Sequence, residues 1–182
     1  MPIIPPEHYC DEIPDDFTLG VTKAEIQISN VEENRQAVLS LASQARYGIN
    51  IFTQDMDDAL FNNEEFENHV YQLAVHHPNA QIRILVQNST PAVKKGHRLI
   101  RIAQKLTSSV FIRKPPEELK KDKSAFLTVD GVGMSYRLQA DSYNHDASVN
   151  FMSPRRVKKL DEFFNEAWQQ SVRDPKVRRL FV

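Results

Sequence analysis

The chain of 182 residues has one cysteine, five glycines and one tryptophan, and each scarcity removes a class of explanation. With Cys10 alone, no intrachain disulfide forms and no thiolate cluster can hold a metal ion. A reducing cytoplasm fits that usage. The glycines are Gly20, Gly48, Gly96, Gly131 and Gly133. Their spacing yields no GxGxxG, no GxxxxGK followed by Ser or Thr, and no GxSxG. The common phosphate-cradling loops and the serine nucleophile elbow are therefore absent. No apolar run nears the roughly 20 residues that span a bilayer. The first residues, MPIIPPEHYCDEIPDDF, have neither a basic start nor a continuous apolar stretch, so no secretory signal is read there. His76 and His77 point apart on a helix, and His69 lies two turns from His76. With no convergent set of three or four ligands, neither a metal ion nor a cofactor is expected.

Charge, by contrast, is plentiful and unevenly placed. The net charge is −1, yet residues 1–80 hold 3 Lys+Arg against 14 Asp+Glu, giving −11, while residues 81–182 hold 20 against 10, giving +10. Such a division serves an anionic partner for the basic half, self-association of acidic on basic surface, or two solvated faces that offset each other.

Residues 1–22 carry four prolines and an acidic cluster, and read as an irregular lead-in ordered only where Ile3, Ile4, Phe17 or Leu19 dock. Residues 23–182 read as a single domain, since no compositional break or repeat divides them. Lys23–Ser29 alternates as a first strand. Asn30, with Glu33 three residues later, caps a helix carrying Val38, Leu41, Ala42 and Ala45 on one face. YGINIF (47–52) is a strand. Asn63 opens a second helix, burying Phe66, Val70, Leu73 and Ala74 and ending before Pro78. QIRILV (81–86) is a strand, and Thr90-Pro91 starts a helix that runs to about Leu106. Val110–Ile112, Ala125–Val129 and Gly133–Arg137 are further strands, the last two forming a hairpin. Pro116–Lys121 is a short helical turn. Ser153-Pro154 opens a final helix with Val157, Leu160, Phe164, Ala167 and Trp168 at core spacing, and Asp174-Pro175 begins a terminal turn. Strands alternating with helices predict an α/β fold with a mixed, largely parallel sheet flanked by helices.

One stretch asks for a chemical explanation. Residues 122–137 read DKSAFLTVDGVGMSYR: a short apolar run, an aspartate, a glycine turn and a second strand. The order of strands and helices up to FLTVDG, then VNF, then a last helix with an F…W…S pattern, resembles the phospholipase D superfamily over about residues 30–173. The segments ILVQNSTPAVKKGHRLIRIAQKLTSSVFIR, AFLTVDGVGMSYR, NFMSPRRVKKLDEFFNEAWQQS and DPKVRRL more closely resemble a bacterial subfamily of degenerate phospholipase D-like domains. The resemblance implies that fold. It also implies a site that in active members carries H-x-K-x-x-x-x-D, with a histidine nucleophile, a phosphate-holding lysine and a supporting aspartate. Anchored on Asp130, the pattern sets Lys123 at the histidine position and Ala125 at the lysine position, so only the aspartate matches. A charged ammonium near pH 7 has no lone pair to attack phosphorus, and alanine holds no phosphate charge. Asn150, in VNF, resembles the asparagine that follows the motif. Asp130 is either a pocket residue or the turn residue before Gly131. Arg137 lies at the far end of the same strand pair. His97 reads as a surface residue, and His145 as a loop residue near the site mouth.

The basic half offers a second candidate. Lys94, Arg98, Arg101 and Lys105 recur at i, i+4, i+7 and i+11 as one stripe along the expected helix. Arg155, Arg156, Lys158 and Lys159 sit in the first turns of the last helix, where cations oppose the helix dipole and either an acidic neighbour or a bound anion would offset the cost. The resulting expectation is a non-catalytic module that binds an anionic ligand (phosphate, a phosphorylated ligand or nucleic acid) or a protein partner. Its candidate residues are Lys123, Asp130, Arg137, Asn150, Lys94, Arg98, Arg101, Lys105, Arg155 and Arg156. The alternative is a phosphodiesterase or phosphatidyltransferase with a site rebuilt around Asp130, Asn150 and His145. The resemblance further implies a homodimer, since single-motif members pair to complete a site, and an acetyltransferase-like partner, since some members are fused to such a domain.

Overall fold

The computed structural model describes residues 13, 16–140 and 143–178. Residues 1–12, 14 and 15 of the expected lead-in, including Ile3 and Ile4, lie outside the described residues, as do residues 179–182. Phe17 and Leu19 pack partly buried against the main core, as expected.

In chain order the elements are β1 (Glu25–Ile28), α1 (Val31–Ser43), β2 (Gly48–Thr53), α2 (Asp58–Phe61), α3 (Glu64–His76), β3 (Gln81–Val86), α4 (Thr90–Lys95), α5 (Arg98–Lys105) and β4 (Val110–Lys114). A 3-10 turn (Glu117–Lys121) leads to β5 (Ala125–Val129), β6 (Gly133–Arg137), β7 (Ala147–Asn150), α6 (Pro154–Gln169) and β8 (Val172–Arg173). The helix starts follow from side-chain caps. Asn30 Oδ1 accepts from the Glu33 amide at 2.9 Å, and Asn63 Oδ1 from the Phe66 amide at 2.8 Å, each satisfying a donor that the helix cannot.

The helix expected over residues 90–106 is broken in two. Gly96 takes a left-handed φ of 63° and closes α4, and His97 caps α5, its Nδ1 accepting from the Leu99 amide at 3.2 Å. The His97 Nε2 meets the Met56 carbonyl at 3.0 Å. One nitrogen accepts and the other faces an acceptor, which defines a neutral imidazole protonated on Nε2. His97 is only 1% exposed, so the surface role read for it is overturned. A side chain that can cap a helix and reach a buried carbonyl is worth more inside.

The eight strands form one sheet in the order β1-β7-β6-β5-β2-β3-β4-β8. Only β2 with β3 and β3 with β4 run parallel; the other five pairings are antiparallel. The α/β class is as expected, and the sheet is mixed, but it is mostly antiparallel rather than largely parallel. The reason lies in the connections. Parallel neighbours need a helical crossover, and only the links β2–β3 and β3–β4 supply one between adjacent strands. The β5–β6 link is a tight turn in which Asp130 and Gly131 both have positive φ, 53° and 70°, as an Asp-Gly hairpin turn requires.

Alternation along the strands sends Ile49, Ile51, Ile82, Ile84, Val86, Leu127 and Val129 into one core with α1, α3 and α5. Phe52, Leu85 and Phe126 point the other way, against Phe164 and Ala167 of α6. Two helical layers thus cover one sheet, unequally.

Candidate functional site

The residues that the phospholipase D resemblance singles out fall at both ends of the strands. At the end where β2 finishes and β5 begins, a cleft is lined by Thr53, Gln54, Asp55, Asp57, Ala125 and Arg137, among others. Arg137, at the end of β6, is 4% exposed and pairs with Asp57 at 2.6 Å; its Nη2 donates to the Asn144 carbonyl. The Asp55 carboxyl beside them is pushed above its ordinary value by burial, with the Asp57 charge adding to the effect. The space left in the cleft is about 20 Å³, room for one water and little else. Ala125 sits in the wall, whereas Lys123 is exposed and offers only its carbonyl, which accepts from Gln54 Nε2 at 2.8 Å.

Asp130 and Asn150 lie at the opposite end of the sheet, where β2 starts and β6 begins. The Asp130 carboxylate accepts from the amides of Arg46, Tyr47 and Gly48 at 2.8, 2.8 and 2.9 Å. Asn150 is 7% exposed, and its Oδ1 accepts from the Met152 amide at 2.8 Å. His145 lies five residues before Asn150, beyond the far end of β7, which at about 3.3 Å per residue separates them by about 16 Å. Asp130, Asn150 and His145 therefore do not converge, and neither do Lys123 and Asp130. Among the described residues no group of three or more His, Cys, Asp or Glu is placed to hold a metal ion.

The basic stripe is also divided. Lys94 belongs to α4, while Arg98, Arg101 and Lys105 belong to α5, beyond the break at Gly96. Arg98 is tied to Glu67 at 2.7 Å, and the neighbouring Lys95 lies 3.4 Å from Asp58. Arg156 is paired with Glu25 at 2.5 Å across the start of α6. Lys94, Arg101, Lys105 and Arg155 are exposed and have no ion pair among the described residues.

A third cluster escapes motif reading. Asn50 is in register with both Arg83 and Thr128, so three polar side chains form a row across β5, β2 and β3 on the α6 face. Asp161 of α6 closes the row, its Oδ1 accepting from Asn50 Nδ2 at 3.0 Å and Thr128 Oγ1 at 2.6 Å. Arg83 donates to Asn50 Oδ1 at 3.0 Å and Asn165 Oδ1 at 2.9 Å. Its guanidinium lies 5.1 Å from the centre of Phe164 and 5.5 Å from that of Trp168. Burial holds it below its ordinary pKa, with Asp161 opposing. Two residues further along β3, Leu85 is in register with Arg113, and Arg113 with Arg173. Arg113 lies 4.8 Å over Trp168. The sequence signal was a single polar residue between apolar ones in each of GINIFT, QIRILV and AFLTV, visible at period two.

Residues 30–180 match a family model described as Domain of unknown function (DUF7931). No curated protein matches the sequence. Among solved structures the chain is similar to TrmBL2, an archaeal chromatin protein described as showing a novel mode of DNA binding (TM-score 0.63, 18% identity over 85% of this chain and 54% of that one). It is also similar to Nuc, a phospholipase D family member from Salmonella typhimurium (TM-score 0.59, 15% identity, 83% of this chain and 97% of that one). NucT from Helicobacter pylori is matched at TM-score 0.59 and 10% identity, over 83% of this chain and 99% of that one. The chain corresponds to about half the length of the archaeal protein, 54%. At such identities the likeness is one of fold, and the fold is phospholipase D-like.

Proposed function

The chain belongs to the DUF7931 family, and we propose that it is a non-catalytic phospholipase D-like module that binds nucleic acid through its basic half. One observation carries the first part. The cleft beside Ala125 is occupied by the Asp57–Arg137 pair, at 2.6 Å, and leaves about 20 Å³. A phosphodiester needs far more room, and a nucleophile needs a lone pair beside it. Among the described residues no histidine lines that cleft. The +10 balance of residues 81–182 and the similarity to a DNA-binding chromatin protein support the second part. On this reading the module works in the cytoplasm, pairs with a second copy, and acts beside an acetyltransferase-like partner.

The test has two arms. Purified protein is offered an activated phosphodiester, such as bis-p-nitrophenyl phosphate, and turnover no faster than buffer is expected; hydrolysis abolished by Asp57→Asn or Arg137→Met would overturn the non-catalytic reading. In the second arm, affinity for a labelled oligonucleotide is followed from about 50 to about 200 mM salt, with a steep fall expected as phosphate counterions are released. A flat response, or no binding at about 50 mM, would overturn nucleic-acid binding.

A further inference from the structure

We propose that the α6 face at the β3–β4–β8 edge is a track for a single nucleic-acid strand, with Arg173, Arg113 and Arg83 on its phosphates and Tyr47 under one base. The inference rests on the nucleic-acid reading above and places its interface.

Arg113 and Arg173 are directly opposite in an antiparallel pair, so both side chains leave the same face of the sheet, with their Cα atoms about 5 Å apart. Like charges so placed repel. Neither has an ion pair among the described residues. Asp174, the adjacent carboxylate, is 8% exposed and taken up by Ser89 Oγ at 2.5 Å and the Lys176 amide at 3.0 Å. No carboxylate among the described residues pairs with either guanidinium, and an anion bridging the two would offset the repulsion. Arg83 lies one strand over on the same face but two residues back along β3, in register with Phe111.

Arg113 rests over Trp168, and Arg83 is fixed by Asn50, Asn165 and Phe164. A guanidinium held in place loses little freedom on gripping a phosphate, and its planar fork suits two phosphate oxygens. Of the cations of α4, α5 and the start of α6, Lys95, Arg98 and Arg156 already face carboxylates, and Lys94, Arg101, Lys105 and Arg155 are exposed, with no ring or side-chain bond among the described residues to hold them.

Arg83 also forms one wall of a groove of about 360 Å³ shared with Tyr47, Asn50, Asn79, Gln81 and Thr128. That volume is within the range of small-ligand sites. Tyr47 is 77% exposed, so its ring is open to a stacking partner. Base-on-aromatic stacking tolerates any sequence, and the Asn79 and Gln81 amides can meet a base edge. Asp130 also borders the groove, but its carboxylate is engaged by three backbone amides. Continuous duplex would keep its bases stacked on one another and out of this groove, so the feature selects a single strand.

The experiment is fluorescence anisotropy with a labelled oligothymidylate and a duplex of equal length, at about 50 mM salt. Wild type is expected to prefer the single strand. Arg113→Ala/Arg173→Ala, checked for native circular dichroism, is expected to weaken binding at least about tenfold and to flatten the log–log salt slope by about 1.4, two phosphates at about 0.7 each. Tyr47→Ala is expected to weaken single-strand binding at least about fivefold and to leave duplex binding unchanged. Lys94→Ala/Arg101→Ala/Lys105→Ala serves as the comparison variant and is expected to lose less than the arginine pair. Full affinity in the arginine variant would overturn the placement while the nucleic-acid reading stands. Equal affinity of wild type for duplex and single strand would overturn the choice of strand, and no binding by wild type would overturn both readings.

Discussion

The two faces of the sheet share every strand and follow different rules. Toward α1, α3 and α5 the inward residues of β2, β3 and β5 are Ile49, Ile51, Ile82, Ile84, Leu127 and Val129, all apolar and no more than 1% exposed. Toward α6 the alternate residues are Asn50, Phe52, Arg83, Leu85, Phe126 and Thr128. Half of that face is polar, and its polar members are bound to Asp161 and Asn165. A face whose only task was to be covered would gain from apolar residues throughout, because each buried polar group costs stability unless it is bonded. The difference assigns stability to one side and surface chemistry to the other.

Substitutions can break that division. The largest loss of stability is expected for Ile51→Ala, about 2–5 kcal/mol by denaturant unfolding, from lost burial plus the cavity left behind. Arg137→Ala follows, since it strands the Asp57 charge. A fully buried broken pair costs about 3–5 kcal/mol, and about 2–3 is expected here because the Asp57 side chain keeps 23% exposure. Asp161→Ala removes the acceptor for Asn50 and Thr128 and is expected to cost about 1–3 kcal/mol.

Titration gives a smaller effect. Burial depresses the His97 pKa below its ordinary 6.5, so the unfolded chain takes up a proton while the native one stays neutral. Stability is then full above pH 6.5 and declines as pH falls through that value toward the native pKa. Thermal midpoints between pH 7.5 and 5 should show a steeper slope in wild type than in His97→Gln, where His69, also depressed by burial, still contributes. The smallest change is expected for Arg113→Ala, within about 0.5 kcal/mol of wild type, even as binding weakens. Were it to cost as much as Ile51→Ala, the faces would not divide the work.

Much of this was legible in the sequence where local signals suffice. Gln81–Val86, Ala125–Val129 and Gly133–Arg137 could be read to the residue, because apolar runs end at turn residues there and Asp130-Gly131 names its own hairpin. Strand β7 could not, since ASVN is short and becomes a strand by pairing with β1 more than a hundred residues away. Strand direction was hidden for a similar reason, being set by connections and not by the alternation of elements. At the site, Arg137 and Asp130 were identifiable as residues of interest, but their partners are 80 or more positions distant, at Asp57 and at Arg46 to Gly48. The polar row of Thr128, Asn50 and Arg83 was within reach of a period-two reading, whereas Arg173 owes its place to a two-residue strand that no pattern announces.

Asp130 has a wider consequence. Its carboxylate ties the segment entering β2 to the turn leaving β5, and so fastens two distant parts of the backbone at one point. Evolution could erase every reacting group from the cleft at the other end of the strands and still find this residue hard to replace. An aspartate at that place in a related chain is therefore a witness to architecture, and it testifies to nothing about turnover.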